Sequence, residues 1–287
     1  MPISGRDVSV IVPTFDRAHT LSRALDSVFA QSTPAGEVLV VDDGSTDGTE
    51  EFVADRYPRA RCLVQERRGV SAARNRGVAQ ARGSWIGFLD SDDEWHPHKL
   101  ERQLESLSES SELRVCHTDE IWIRNGRRVN PGHRHRKCSG RMFRDCLPLC
   151  AISPSSVLIH RDVFSDVGTF DETLPACEDY DLWLRVCARY EVVLVDEPLI
   201  VKYGGHDGQL SRQFEGMDRF RIAALEKILA AAELDPIDWQ AARDVALEKL
   251  DIYLAGVRKR NRVEEVAELE LRRRRLTEGT SPCRGPR

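Results

Sequence analysis

Apolar and polar positions fall in blocks along the first hundred residues, and the blocks switch between two periods. VSVIV (8–12) is apolar but for Ser9, the mark of a strand buried on both faces. From Thr20 to Gln31 apolar residues recur at helical spacing through Leu21, Ala24, Leu25 and Val28. EVLVVDD (37–43) predicts a second strand, and STDGTEEFVADRY a short helix capped by Ser45 and Thr46. RCLVQE (61–66) predicts a third strand, VSAARNRGVAQAR a third helix and SWIGFLD a fourth strand. Pro97 then sits near the start of a helix through Leu100, Leu104 and Leu107. Apolar strands alternating with helices predict an α/β fold, a mostly parallel sheet covered by helices on both faces.

From about residue 112 the pattern changes. CHTDEIWIRNGRRVN reads as a hairpin turning at Asn125-Gly126, and a polar basic loop follows (130–141). SSVLIHRDVF predicts a strand running into a helix, and EDYDLWLRVCARY an amphipathic helix with Asp181 on its polar face. EVVLVDEPLIVKY reads as two short strands around Pro198. After the glycine-rich YGGHDG the chain is helical to its end, in segments 217–233 and 237–259 and a charged stretch beyond. There Arg272 to Arg275 follow Glu264, Glu265, Glu268 and Glu270, giving i,i+4 pairs such as Glu268–Arg272. That run is read as a solvated helix end, with contact to anionic lipid as the alternative.

Composition narrows the class. The 287 residues are 41% hydrophobic and 31% charged, with a formal net charge of −5, which gives no electrostatic case for a nucleic-acid partner. No apolar run approaches the ~20 residues of a membrane-spanning helix, and no signal peptide precedes the first strand. The expected location is cytoplasmic. The eight cysteines are scattered, and several lie in apolar segments, which favours reduced core thiols over a disulfide framework. His133, His135, Cys138, Cys146 and Cys150 lack the paired spacing of common zinc sites, leaving a basic loop as the main reading and zinc as the alternative.

The chemistry concentrates at strand tips. In an open α/β sheet, ligands bind beyond the carboxyl ends of the strands. Here those ends read PTFDR, DDGSTD and, after GFL, DSDDEW. There is no G-x-G-x-x-G after the first strand and no P-loop, so dinucleotide and P-loop chemistries lose their footing. Asp90 and Asp92 project from one turn as hard oxygen donors suited to Mg²⁺ or Mn²⁺. Asp42-Asp43 forms a second acidic tip able to accept hydrogen bonds from a base or ribose. Arg74 and Asn75 add a cation and an amide.

VSVIVPTFDR, EVLVVDDGSTDGT, GVSAARNRG and GFLDSDDEW, in this order, resemble the family 2 glycosyltransferases of the GT-A fold. The resemblance covers residues 7–110 closely and resumes in EDYDLWLR and, more loosely, in KYGGHDGQLS. It implies a nucleotide-sugar-binding half (1–110), an acceptor-binding half (111–215) and a C-terminal helical extension (216–287). By position it implies that Pro13, Thr14 and Phe15 floor the nucleotide pocket with Arg17 nearby, that Asp43 reads the base, and that Arg74 and Asn75 lie beside the nucleotide. Asp90-Ser91-Asp92 becomes the D-x-D motif, Asp90 reaching ribose or metal and Asp92 ligating the metal, with His206 as a further metal or diphosphate contact. Asp179 falls at the general base, with Glu178 beside it. Trp95 and Trp183 either wall the site or stack on a sugar. The implied reaction is inverting transfer from a UDP-, GDP- or dTDP-sugar to a glycan, lipid-linked or other hydroxyl acceptor in bacterial surface-polysaccharide or lipopolysaccharide assembly. Peripheral membrane contact and dimerisation through the C-terminal helices are compatible with it. The rival readings are a sugar-phosphate nucleotidyltransferase, which would need a lysine-bearing phosphate loop after the first strand, and a non-catalytic binding module.

Overall fold

A computed structural model describes residues 3–130, 132, 135–205, 214–231 and 234–279. Its first half follows the expected alternation: β1 (Val8–Thr14), α1 (Ala18–Phe29), β2 (Glu37–Asp42), α2 (Thr49–Arg56), β3 (Arg61–Val64), α3 (Val70–Gln80) and β4 (Trp85–Phe88). The two-residue β5 (Glu94–Trp95) and α4 (Lys99–Leu107) follow. The second half holds β6 (Val115–Arg124), β7 (Arg127–Val129), α5 (Phe143–Cys146), β8 (Leu158–His160), α6 (Asp162–Val167), α7 (Glu178–Cys187) and β9 (Val193–Gly204). Three helices close the chain: α8 (Asp218–Ala230), α9 (Pro236–Lys259) and α10 (Val263–Glu278).

The strands form one sheet in the order β3-β2-β1-β4-β8-β6-β9-β5, with β7 hairpinned onto β6. β3, β2, β1 and β4 are parallel, whereas β8 is antiparallel to both β4 and β6. The sheet is therefore mixed in its second half. Two antiparallel steps restore direction, so β6 and the parallel β9 point the same way as β1 and β4. All their carboxyl ends lie on one edge.

Alternation along the strands explains the apolar runs. Val8, Val10, Val12, Val38 and Val40 pack on one face with Leu21, Leu25 and Leu100. Ile11, Leu39 and Val41 pack on the other with Phe88, Trp183 and Leu225. Successive side chains point to opposite faces, and both faces are covered, so apolar residues dominate, and the buried Ser9 is satisfied by donating to Glu37 at 2.8 Å. On the second face Gly77 lets α3 approach β1, because a Cβ there would lie 2.4 Å from Ile11 Cγ2.

Several expectations are corrected. The helix after β2 starts at Thr49 behind a left-handed Gly48, not at a Ser45/Thr46 cap. Ser45 instead donates its backbone N–H to Asp42 at 3.0 Å, bracing the strand tip. EVVLVDEPLIVKY gives one strand rather than two. Pro198 sits opposite Asp119, where the β6–β9 register shifts, and the bulge absorbs the missing N–H. Arg272 does not serve Glu268. It forks onto Glu226 of α8 at 3.0 and 2.6 Å, and Arg273 pairs with Asp251 of α9 at 2.6 Å. Asp181 is not surface: it is 1% exposed and accepts from Arg185 (2.6 Å) and Lys227 (3.1 Å).

The C-terminal helices share the core of the sheet. Leu225 and Ile228 of α8 and Trp239, Ala242 and Ala246 of α9 pack in the cluster that holds Met142, Phe143 and Trp183. No described helix is long and apolar enough to cross a membrane.

Candidate functional site

A cavity of about 460 Å³ opens at the carboxyl edge of the sheet. One wall is built by Pro13, Thr14, Phe15 and Arg17 after β1 and by Asp43 after β2. Arg67 lies over the Phe15 ring, 4.0 Å from its centroid. Asp43 is 4% exposed and accepts from Gln65 Nε2 (2.7 Å) and from the backbone N–H groups of Arg68 (2.9 Å) and Gly69 (2.7 Å). Gly69 has a φ of 94°, a left-handed conformation that glycine adopts readily. Asp43 thus organises the loop that starts α3 while it lines the cavity.

Asp90, Ser91 and Asp92 line the same cavity. Their turn is closed by the Asp93 N–H donating to Asp90 O at 2.9 Å and is anchored beneath by Ser155, which donates to Asp93 at 2.7 Å. Burial pushes the Asp93 carboxyl well above its usual range. Asp92 contacts Arg17, and Arg23 donates to its carbonyl at 2.6 Å. Asp90 and Asp92 retain 28% and 17% side-chain exposure. Among the described residues no three His, Cys, Asp or Glu side chains are grouped to hold a metal. Two carboxylates on one turn still fit Mg²⁺ or Mn²⁺, ions that complete their shell with water and phosphate oxygens. His206, the third ligand expected from sequence, lies outside the described residues.

One guanidinium joins this turn to α7. Arg74, 3% exposed, donates to Asp90 Oδ1 at 2.8 Å and to Glu178 Oε1 at 2.7 Å. Burial would lower the Arg74 pKa, but Asp90 and Glu178 outweigh it and hold the charge. Burial, reinforced by Asp179, pushes Glu178 up to about 7 against the pull of Arg74. Cys177, left-handed at φ 61°, turns the chain so that Glu178 and Asp179 fall in the first turn of α7, where unpaired N–H groups favour carboxylates. Asp179 Oδ1 accepts from the Tyr180 N–H at 2.7 Å, and Oδ2 lies 3.2 Å from Cys150 Sγ.

Asn75 stands apart from the cavity wall. Its amide accepts from the Phe170 N–H (2.9 Å) and donates to Phe170 O (2.9 Å) and Glu172 (3.0 Å), latching α3 to the loop before α7. Trp95 and Trp183, each 1% exposed, are buried supports outside the lining. The supposed zinc cluster diverges. The His135 ring lies tilted against Trp122 with centroids 4.9 Å apart, Cys146 faces Cys187 and Cys150 faces Asp179, while His133 lies outside the described residues.

Sequence reasoning did not assign Lys202, Tyr203, Met217 and Arg221, which also line the cavity. Burial alone would lower the Lys202 pKa, but Glu120, Asp93, Asp90 and Asp179 hold it above the ordinary lysine range. A signal was present for both cations. Lys202 interrupts the apolar run LIVKY, and Arg221 falls four residues after Met217 and four before Leu225, within the buried stripe of α8.

A cavity at a switch between parallel and antiparallel strands, walled by two acidic tips, defines an α/β protein of the GT-A type. The same fold appears in TarS 1–349 of S. aureus, solved with UDP-GlcNAc (TM-score 0.67, 21% identity, 86% of this chain and 72% of that one). It appears also in the mannosyltransferase PcManGT of Pyrobaculum calidifontis, solved with GDP-Man and Mn²⁺ (TM-score 0.62, 17% identity, 94% and 84%). The family model of glycosyl transferase family 2 matches residues 9–168. The chain belongs to that family. Uncharacterized glycosyltransferases of Rickettsia bellii and Rickettsia typhi are 31% and 30% identical over 215 and 209 residues, 72% and 70% of this chain. The chain spans 31% of the first and 65% of the second.

Proposed function

We propose that this protein transfers a glycosyl group from a nucleoside diphosphate sugar to an acceptor hydroxyl, with inversion at the anomeric carbon. The observation that carries the reading is the chain Asp90–Arg74–Glu178, which ties the D-x-D turn to the residue preceding Asp179 through contacts of 2.8 and 2.7 Å. In this reading the nucleotide lies along Pro13, Thr14, Phe15 and Asp43. Asp90 and Asp92 would hold Mg²⁺ or Mn²⁺, which when bound neutralises charge developing on the departing diphosphate. Arg17 adds fixed positive potential on that side. Asp179 takes the proton of the attacking hydroxyl, and its two oxygen contacts hold it oriented for that task. Glu178 stays on Arg74 as an orienting group. Attack opposite the leaving diphosphate inverts the centre without a covalent intermediate.

The pathway proposed is surface-polysaccharide or lipopolysaccharide assembly, on the cytoplasmic side of a membrane. A putative teichuronic acid biosynthesis glycosyltransferase of Bacillus subtilis, 38% identical over 109 residues, supports that direction. The proposed division of labour gives residues 1–110 to the donor, 111–215 to the acceptor and 216–287 to support. The test is a thermal-shift screen of UDP-, GDP- and dTDP-sugars with Mn²⁺, followed by donor-dependent release of nucleoside diphosphate. One donor class should raise the melting temperature as ln(1 + [L]/Kd) requires, and Asp92→Asn should remove most metal-dependent binding. Nucleotide binding without turnover over a wide donor and acceptor panel would favour a non-catalytic module.

A further inference from the structure

β6 runs beside β9 with Trp122 opposite Lys202, Ile123 opposite Tyr203 and Arg124 opposite Gly204. Lys202 and Tyr203 line the cavity, so β6 reaches its mouth and the β6–β7 hairpin projects from the same edge. Asn125 and Gly126, with φ of 50° and 73°, make the tight two-residue turn that keeps this arm short. Between Ile121 and Arg144 the chain carries eight lysines and arginines and no acid, in a protein of net charge −5. Lys137 pairs with Glu120 and Arg144 with Asp238. Arg124, Arg127, Arg128 and Arg136 are exposed and have no acidic partner among the described residues.

A charged edge strand also guards against strand-to-strand association, so the hairpin alone names no ligand. The second observation lies inside the cavity. Arg221 donates to Asp218 at 2.9 Å, and its Nε is buried without a partner. Asp218 is shared with Lys249 at 3.6 Å, leaving the trio net positive. Burial holds the thiol beside it, Cys177, up at about 12, so that thiol adds no negative charge to the trio. Cys150, the thiol that touches Asp179, adjoins Arg221 as well.

We infer that the acceptor is a polymer bearing anionic groups, phosphate or carboxylate, with one group seated on Arg221 and others along the hairpin arginines. This rests on the transferase reading and specifies its acceptor. An anionic membrane could meet the hairpin, but a flat surface does not enter the cavity to reach Arg221. A chain does both.

The probe is fluorescent inorganic polyphosphate, titrated into the full chain over a series of NaCl concentrations, with neutral dextran and phosphatidylglycerol vesicles in parallel. Polyphosphate should bind with an affinity that falls steeply with salt, and dextran should not bind. Combining Arg124→Gln, Arg127→Gln and Arg128→Gln should weaken polyphosphate binding at least ~10-fold and reduce the log–log salt slope by about 2, the expectation for three lost charges on a single-stranded polyanion. Arg221→Gln should weaken it several-fold, and Arg221→Lys should restore most of the loss. An unchanged melting temperature and retained nucleotide binding check the fold. Equal polyphosphate affinity in the triple variant or in Arg221→Gln overturns the inference, and so does hairpin-dependent vesicle binding without polyphosphate binding. Donor turnover without polyphosphate binding overturns it and leaves the transferase. Polyphosphate binding without any donor turnover overturns the transferase, and the acceptor role with it.

Discussion

Asp181→Asn separates a surface helix residue from a buried electrostatic joint. The carboxylate is 1% exposed and receives Arg185 at 3.1 and 2.6 Å and Lys227 at 3.1 Å. A hydrogen bond to a charged group contributes ~1.5–3 kcal/mol, and Arg185, 14% exposed, should forfeit that much. Its bonds to the carbonyls of Val167 and Thr169 keep it from being stranded. Lys227 is 43% exposed and keeps Asp171 at 2.7 Å, so its share is at most ~1 kcal/mol. Asparagine preserves size and one neutral acceptor. The loss should therefore be about 2–3 kcal/mol, read by urea unfolding with an unchanged m-value. Asp181 does not line the cavity, so nucleotide affinity should hold. A double-mutant cycle with Arg185→Met should show a coupling of at least ~1 kcal/mol. A loss below ~0.5 kcal/mol, the range of an ordinary surface change, or zero coupling, would refute the reasoning.

Asp179→Asn should cut kcat by ~10²–10⁴ with donor binding little changed, and Glu178→Gln should cost less; the reverse order in steady-state kinetics would move the base to Glu178. Lys99 is fully buried, donates to Gln103 at 2.7 Å over the Trp95 ring, and is lowered by burial to about 7. The unfolded chain then binds the extra proton between pH 7 and 10.5, so wild-type stability should rise with pH there, by up to ~1.4 kcal/mol per unit. Lys99→Met should be more stable at pH 7 and lose that rise in parallel urea titrations; identical pH profiles would contradict it. Ending the chain at residue 231 removes Trp239, Ala242 and Ala246 from the main core, and sedimentation of the product should show aggregation; a soluble truncation with native melting would show the segment dispensable.

Much of this protein is decided by near neighbours along the chain. The apolar strands, the helical stripes, the Asn125-Gly126 turn and the acidic tips at residues 42–43 and 90–93 all follow from periods of two or 3.6 and from local turn chemistry. Alternating strand and helix then place the carboxyl ends on one edge, which is why most of the proposed nucleotide contacts could be named from sequence. What tertiary structure alone decided is the partner of each charge. Asp181 looked solvated until α8 brought Lys227 across it, and Arg272 looked paired to Glu268 until Glu226 came nearer. Asn75 sits inside the motif that resembles the family, yet its amide serves Phe170, ninety-five positions away. Lys202 and Arg221 reach the cavity only because β9 and α8 return to the same sheet edge. Periodicity fixes which face a side chain takes, through steric and solvent forces that act within a few residues. The charge it meets there is set by long-range packing, which no local window of sequence contains.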